Sequence, residues 1–165
     1  MTNRLCVTAV ATAFVGLAAC GGPPSPPPAQ APAAPAAAPS TAAPAAMPRT
    51  PAPAGASVRI IEPAAGAVVQ SPVTVRFAIE GMALAPAGNH DPGTGHHHLL
   101  VDTGMPAPDQ PIPTDANHIH FGKAQVEAQI ELAPGQHTLQ LLLGDGNHVP
   151  HDPPVASEPV TITVE

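Results

Sequence analysis

"VTVRFAIE", residues 73–80, reads as one β-strand and sets the fold class. Val73, Val75, Phe77 and Ile79 alternate with Thr74, Arg76, Ala78 and Glu80. In an extended chain the first set faces one side and the second set faces the other. Outward from it, "AQVEAQIEL" (124–132) repeats the pattern, with Val126, Ala128, Ile130 and Leu132 opposed to Gln125, Glu127, Gln129 and Glu131. "VTITVE" (160–165) places Val160, Ile162 and Val164 on one face. "SVRII" (57–61), "HHHLLVD" (96–102), "HIHF" (118–121) and "HTLQLLL" (137–143) bring the expected set to about seven short strands. Pro63 to Gly66, Gly81, Pro134-Gly135 and Gly144 to Gly146 supply the turns between them. No stretch shows helical spacing. The expectation is an all-β fold, a small immunoglobulin-like or fibronectin-III-like antiparallel β-sandwich, with a jelly roll as the alternative.

The chain ahead of that domain is of another kind. "MTNRLCVTAVATAFVGLAAC" (1–20) has one arginine before a short apolar run and closes on Leu17-Ala18-Ala19-Cys20. A run of this length suits a signal peptide better than a membrane-spanning helix. Residues 21–56 are almost wholly Pro, Ala, Ser, Thr and Gly. They have nothing to bury and too few N–H donors for helix or sheet. The reading is a disordered, semi-rigid tether reaching on the order of 100 Å at about 3.1 Å per residue. The expected divisions are a signal peptide at 1–19, Cys20 plus tether at 20–56, and the sandwich at 57–165.

The sandwich then contains Arg59, Arg76 and Lys123 as its only Lys or Arg, in a chain of net charge −7. It has no basic patch for nucleic acid, and that partner is excluded. Of two cysteines, Cys6 falls within the signal and Cys20 at its end, so no disulfide is expected in the domain.

The nine histidines are the chemistry-bearing residues. "GTGHHHLLVDTG" is not a terminal tag, since it runs into Leu99, Leu100 and Val101. If Leu99 and Val101 face the core, His97 does too, while His96, His98, Leu100 and Asp102 face the opposite way. In "HIHFG", Ile119 and Phe121 go inward and His118 and His120 outward. If the two strands pair, opposed Cβ atoms stand about 4.5–5.5 Å apart, and four imidazoles come within reach of one cation. "GDGNHVPHDPP" (144–154) adds Asp145, His148, His151 and Asp152, and "GNHDPGTG" (88–95) adds His90 and Asp91 more weakly. The long segments 82–94, 105–117 and 144–156 read as functional loops.

Neutral imidazole suits copper and zinc. The expected ligands are His96, His98, His118 and His120, completed or covered by His148 and His151. His97, Asp102, Asp145 and Asp152 are expected to support them from behind. His97 is read as a satisfied, partly buried histidine, and His137, in phase with Leu139 and Leu141, as structural or at a strand edge. Met82 and Met105 are soft donors of little weight. Binding is expected to weaken as pH falls through about 6.5, because the ligands must be neutral. The same residues also fit a metal-free hydrogen-bond network that ties loops to sheet.

Several resemblances add to this reading. Leu17 to Cys20 resembles the lipobox of bacterial lipoproteins, which implies cleavage before Cys20, its lipidation, and a place in the cell envelope. Gly21 after the cysteine is similar to the sorting pattern that favours the outer membrane, the domain then facing the periplasm. "IIEPAAGAVVQSPVTVRFAIEG" (60–81) resembles the first two strands of bacterial immunoglobulin-like modules. "GTGHHHLLVDT", "PIPTDANHIHFGKAQVEAQIEL" and "GQHTLQLLLGDGNHVPHDPPVASEPVTITV" resemble the bacterial family filed as domain of unknown function 4399, over about 58–165. That family implies no activity or ligand. The domain also resembles, at the level of fold, exported copper carriers that are small histidine-using sandwiches.

Three function classes follow. The first is an envelope lipoprotein binding copper or zinc, held to the membrane through Cys20. The second is a non-catalytic module presenting its loops to an envelope partner. The third is a metalloenzyme: the histidine pairs resemble cupin sites, but the glutamate expected after the first pair is missing, with Asp102 alone nearby. No nucleophile stands in a recognisable setting either, so the chain reads more as a binder than as an enzyme.

Overall fold

The computed structural model describes residues 45–165. The signal peptide, Cys20 and most of the tether lie outside the described residues. Among the described residues there are nine strands: β1 (Ser57–Glu62), β2 (Val68–Val69), β3 (Val73–Glu80), β4 (Ala83–Leu84), β5 (Thr94–Val101), β6 (His118–Phe121), β7 (Glu127–Ile130), β8 (Gly135–Gly144) and β9 (Val160–Val164). The seven long enough to carry a pattern are those read from the sequence. β2 and β4 have two residues each, too few for any periodicity to register.

The strands form two sheets, ordered β1-β3-β7 and β2-β9-β8-β5-β4, with β6 also pairing with β5. Pairing is antiparallel except at the two short strands, where β2–β9 and β4–β5 run parallel. This is a small β-sandwich, neither helical nor a closed barrel among the described residues. Val58, Val73, Val75, Phe77 and Ile130 of the first sheet meet Leu99, Val101, Leu139, Leu141, Leu143, Ile162 and Val164 of the second. These are the alternating positions, as the period-two argument requires.

Two readings of phase are corrected. Val126 was placed on the inner face, but it precedes β7, lies in a bend and is 57% exposed. Its carbonyl accepts the Phe77 N–H at 2.9 Å, which holds the chain at the sheet edge before the alternation starts. The second correction concerns the back of β5. Leu100, Ile112 and Leu142 form a separate buried cluster there, so the face assigned to the outside is roofed. Seven of the eight residues of β5 are buried.

Residues 45–52, which the sequence reading gives to the tether, bond to the domain. Met47 N–H donates to Asp109 O at 2.8 Å, Ala52 N–H to Asp152 O at 2.8 Å, and Asp152 N–H to Thr50 O at 2.9 Å. Polar backbone in contact with a fold must be paired, and the last residues of the Pro/Ala run meet that need on the domain itself.

Candidate metal centre

β5 is bonded to β8 on one side and to β6 on the other. The registers are His96↔Gly144 and His98↔Leu142 toward β8, and His98↔His120 and Leu100↔His118 toward β6. Strand alternation puts His96, His98 and His120 on one face, and the pairing puts His98 beside His120. Ligating nitrogens of these three all lie within 4.8 Å of one another. The Nε2 atoms of His96 and His98 are 3.0 Å apart, and the His120 ring centroid is 5.0 Å from both neighbours.

Room for the rings comes from glycine. A Cβ at Gly122 would stand 2.7 Å from His120 Nε2, and one at Gly144 would stand 3.0 Å from His98 Nε2. Neither residue was singled out from the sequence as part of the site, although each adjoins a histidine motif.

His148 closes the nest from the segment after β8. Its ring centroid is 4.9 Å from those of His96 and His120 and 5.9 Å from that of His98. The turn that carries it is built by Asp145, whose Oδ1 accepts the N–H groups of Asn147 at 2.8 Å and Val149 at 3.0 Å. His148 itself has φ 66, a left-handed conformation that such a turn must hold in place.

The remaining expected residues sit elsewhere. His118, set opposite Leu100, is carried past the nest by the register, and its Nδ1 lies 2.8 Å from Asp115 Oδ1. That hydrogen bond, with one from Asn117 N–H, holds the Asp115 carboxyl below its usual range. His151 is fully buried, with Nε2 3.2 Å from Thr94 O. Asp102 pairs with His137 Nδ1 at 2.7 Å and Thr138 N–H at 2.7 Å, so it does not back any of the three. Burial alone would raise Asp102, but those hydrogen bonds outweigh it; His137 is raised by its bond to Asp102 and by one to the Ala133 carbonyl. Asp152 meets Arg49 at 2.9 Å. Asp145 shapes the His148 turn and supports the nest only through it and through its charge, which acts on His96. His90 and Asp91 line a small polar recess with Thr50, Asn89 and Asp145. Met82 packs against the core, and Met105 is exposed.

His97 faces inward as expected, but it is not satisfied. It is fully buried against Phe77, with ring centroids 5.0 Å apart. Neither ring nitrogen has a hydrogen-bond partner among the described residues, and the same holds for His98 Nδ1 and His120 Nε2.

Burial is the main cause that lowers these groups, followed by the mutual repulsion of neighbouring rings. It takes His96 to about 4, His97 to about 4 through burial alone, and His98 to about 2. His120 is lowered by burial first and then by repulsion from the neighbouring His148 ring. At neutral pH the rings of His96, His98 and His120 are therefore uncharged, with free lone pairs, and they could hold a metal ion.

A family model described as Domain of unknown function (DUF4399) matches residues 75–165. The match takes in every residue of the nest and stops short of β1 and of the segment before it. Neither the curated proteins nor the solved structures give a match.

Proposed function

The chain belongs to the DUF4399 family, which implies no activity or ligand, and from the geometry of the site we propose that its domain binds one copper or zinc ion through His96, His98 and His120. The observation that carries this reading is the pair of Nε2 atoms 3.0 Å apart beside the His120 ring, whose buried Nε2 has no partner. Imidazole nitrogens bind such ions at about 2.0–2.1 Å, and two of them on one ion at right-angled to tetrahedral geometry stand about 2.9–3.4 Å apart. One hydrogen bond between His96 and His98 accounts for the short contact, but it leaves His120 Nε2 with nothing. Burying such groups unpaired is costly.

The metal-free network reading needs carboxylates and carbonyls beside the rings. Those partners serve the outlying histidines instead: Asp115 for His118, Asp102 for His137, and Thr94 O for His151. The nest has imidazoles only, a donor set for a borderline transition metal rather than for calcium or magnesium.

Calorimetry of the purified protein with Cu(II) and with Zn(II) at pH 7.5 tests the proposal. Uptake of one ion per chain is expected, with at least a hundredfold loss in the double variant His98→Ala/His120→Ala. Absence of uptake by the unaltered protein removes the reading.

We further propose that the domain is displayed in the bacterial cell envelope through lipid on Cys20. The support is the sequence Leu17-Ala18-Ala19-Cys20 after an apolar run, followed by the Pro/Ala-rich segment. Radiolabelled palmitate should enter the unaltered protein and not Cys20→Ala; equal labelling of both refutes the anchor.

A further inference from the structure

Three of the nest's rings stand on strands fixed in ladders, while His148 stands on a turn. An ion held by three imidazoles has a fourth tetrahedral position, and the fourth ring of the nest is that of His148, its centroid 4.9 Å from those of His96 and His120 and 5.9 Å from that of His98. What fixes that ring is therefore what sets the coordination number.

The support of the turn leads out of the nest to the segment before β1. Asp145 is 4% exposed; its Oδ1 holds the turn while its Oδ2 accepts the hydroxyl of Thr50 at 2.6 Å. Arg49 donates to the carbonyls of Pro150 and His151 and pairs with Asp152. Backbone bonds join Ala52 and Thr50 to Asp152 on the same stretch. The segment reaches the other covering loop as well, through Met47 N–H to Asp109 O at 2.8 Å and Gln110 Nε2 to Ala45 O at 3.1 Å. That loop meets the turn directly, since Ile112 N–H donates to His148 O at 2.8 Å. Both covers of the nest are thus stitched together by residues 45–52. Arg49 is the one charged residue between Gly21 and Ala56, and it is spent on this contact.

We infer that His148 is a fourth ligand to the ion and that the segment carrying Arg49 and Thr50 is a latch that holds it in the coordination sphere. The inference rests on the metal reading above and assigns that site its regulation. With the latch docked, the ion has four imidazoles and no open position. With the latch released, the Asp145 carboxyl loses a partner, the turn loosens, and three ligands remain with a position open to water or to an acceptor. A load or a partner acting on the chain ahead of residue 45 thereby reaches the ion through Thr50 and Asp145. Arg49 and Thr50 are positioning residues and touch no ion themselves.

The test uses the full purified protein with Zn(II) affinity measured by chelator competition, the absorption spectrum of the Co(II) form, and amide exchange over residues 145–149. Thr50→Val removes one hydroxyl at constant shape. It should weaken zinc about tenfold, the loss typical of a group that supports a ligand, speed exchange of the turn with or without metal, and weaken the tetrahedral Co(II) bands. Thr50→Ser should restore all three. His148→Ala should lose at least as much affinity, and the double variant should bind no more weakly than His148→Ala alone, because the latch acts through that ring.

Additive losses in the double variant overturn the inference, as does wild-type affinity in His148→Ala. Unchanged affinity and exchange in Thr50→Val also overturn it while leaving the three-histidine site standing. Lack of zinc uptake by the unaltered protein is the separate failure of the metal reading, and the ligand role of His148 falls with it.

Discussion

Gly122 and Gly144 keep the nest open by what they lack. A methyl group at Gly122 would occupy the space of the His120 ring, and that ring is the movable end of a side chain, so it is the ring that yields. Gly122→Ala should therefore keep the far-ultraviolet circular dichroism and melting temperature near those of the unaltered protein, while metal affinity drops at least tenfold. Equal affinity would show that His120 does not ligate. His97 offers the opposite experiment. It lies between two nest residues in sequence but on the far side of the strand, with two partnerless ring nitrogens in an apolar core. His97→Leu removes the unsatisfied groups at similar volume and should stabilise the protein by about 1–3 kcal/mol, read from urea unfolding, with metal uptake intact. A less stable variant would mean that these nitrogens have a partner. The alternation argument placed His97 correctly inside and was wrong about its satisfaction, because strand phase says which way a ring points and nothing about what waits there.

At the scale of the element, β5 decides the site. A strand with one wet face shows clean alternation, whereas one buried on both faces reads as a nearly continuous apolar run. "HHHLLV" is neither, and its histidines disguise a central strand covered on both sides. Leu142, directly opposite His98, tests the roof over the back face. Leu142→Ala should cost about 2–5 kcal/mol, the range for a buried leucine, in spite of facing away from the main core. A loss within a few tenths of a kcal/mol would mean that the back of the sheet is not a packed layer. The register of β5 against β6 likewise chose among the histidines. Both members of "HIH" point to the same face, but only His120 is level with His98; His118 is level with Leu100 and turns to Asp115. Alternation could name the face, but which rung of the ladder each residue occupies is set by pairing.

The whole molecule responds to acid through the buried rings. In the unfolded chain a histidine titrates near 6.5, whereas His96, His97 and His98 in the fold stay neutral down to about 4, about 4 and about 2. Above pH 6.5 both states are neutral and these groups contribute no pH dependence. Between 6.5 and 4 the unfolded chain takes up protons that the fold refuses, so stability falls as pH falls. The limiting slope is about 1.4 kcal/mol per pH unit for each ring. Urea unfolding of chelator-treated protein at pH 7, 6 and 5 should show this decline, shallower in His97→Leu. A flat profile over that range would mean that the rings are solvated. Carboxylates do not confuse the window, since those lowered in the fold titrate below it.

The sequence by itself determined the two-sheet class, the seven patterned strands, the inward set of apolar residues apart from Val126, and the shared face of His96, His98 and His120, because side-chain direction in an extended chain follows from counting by two. Tertiary structure alone decided the strand register that dropped His118, the roof over β5, the turn that brings His148 in, and the folding of Arg49 and Thr50 back onto that turn. These depend on contacts between residues far apart in the chain, up to the 103 positions that separate Arg49 from Asp152, and no local periodicity records which distant partner will satisfy a buried polar group.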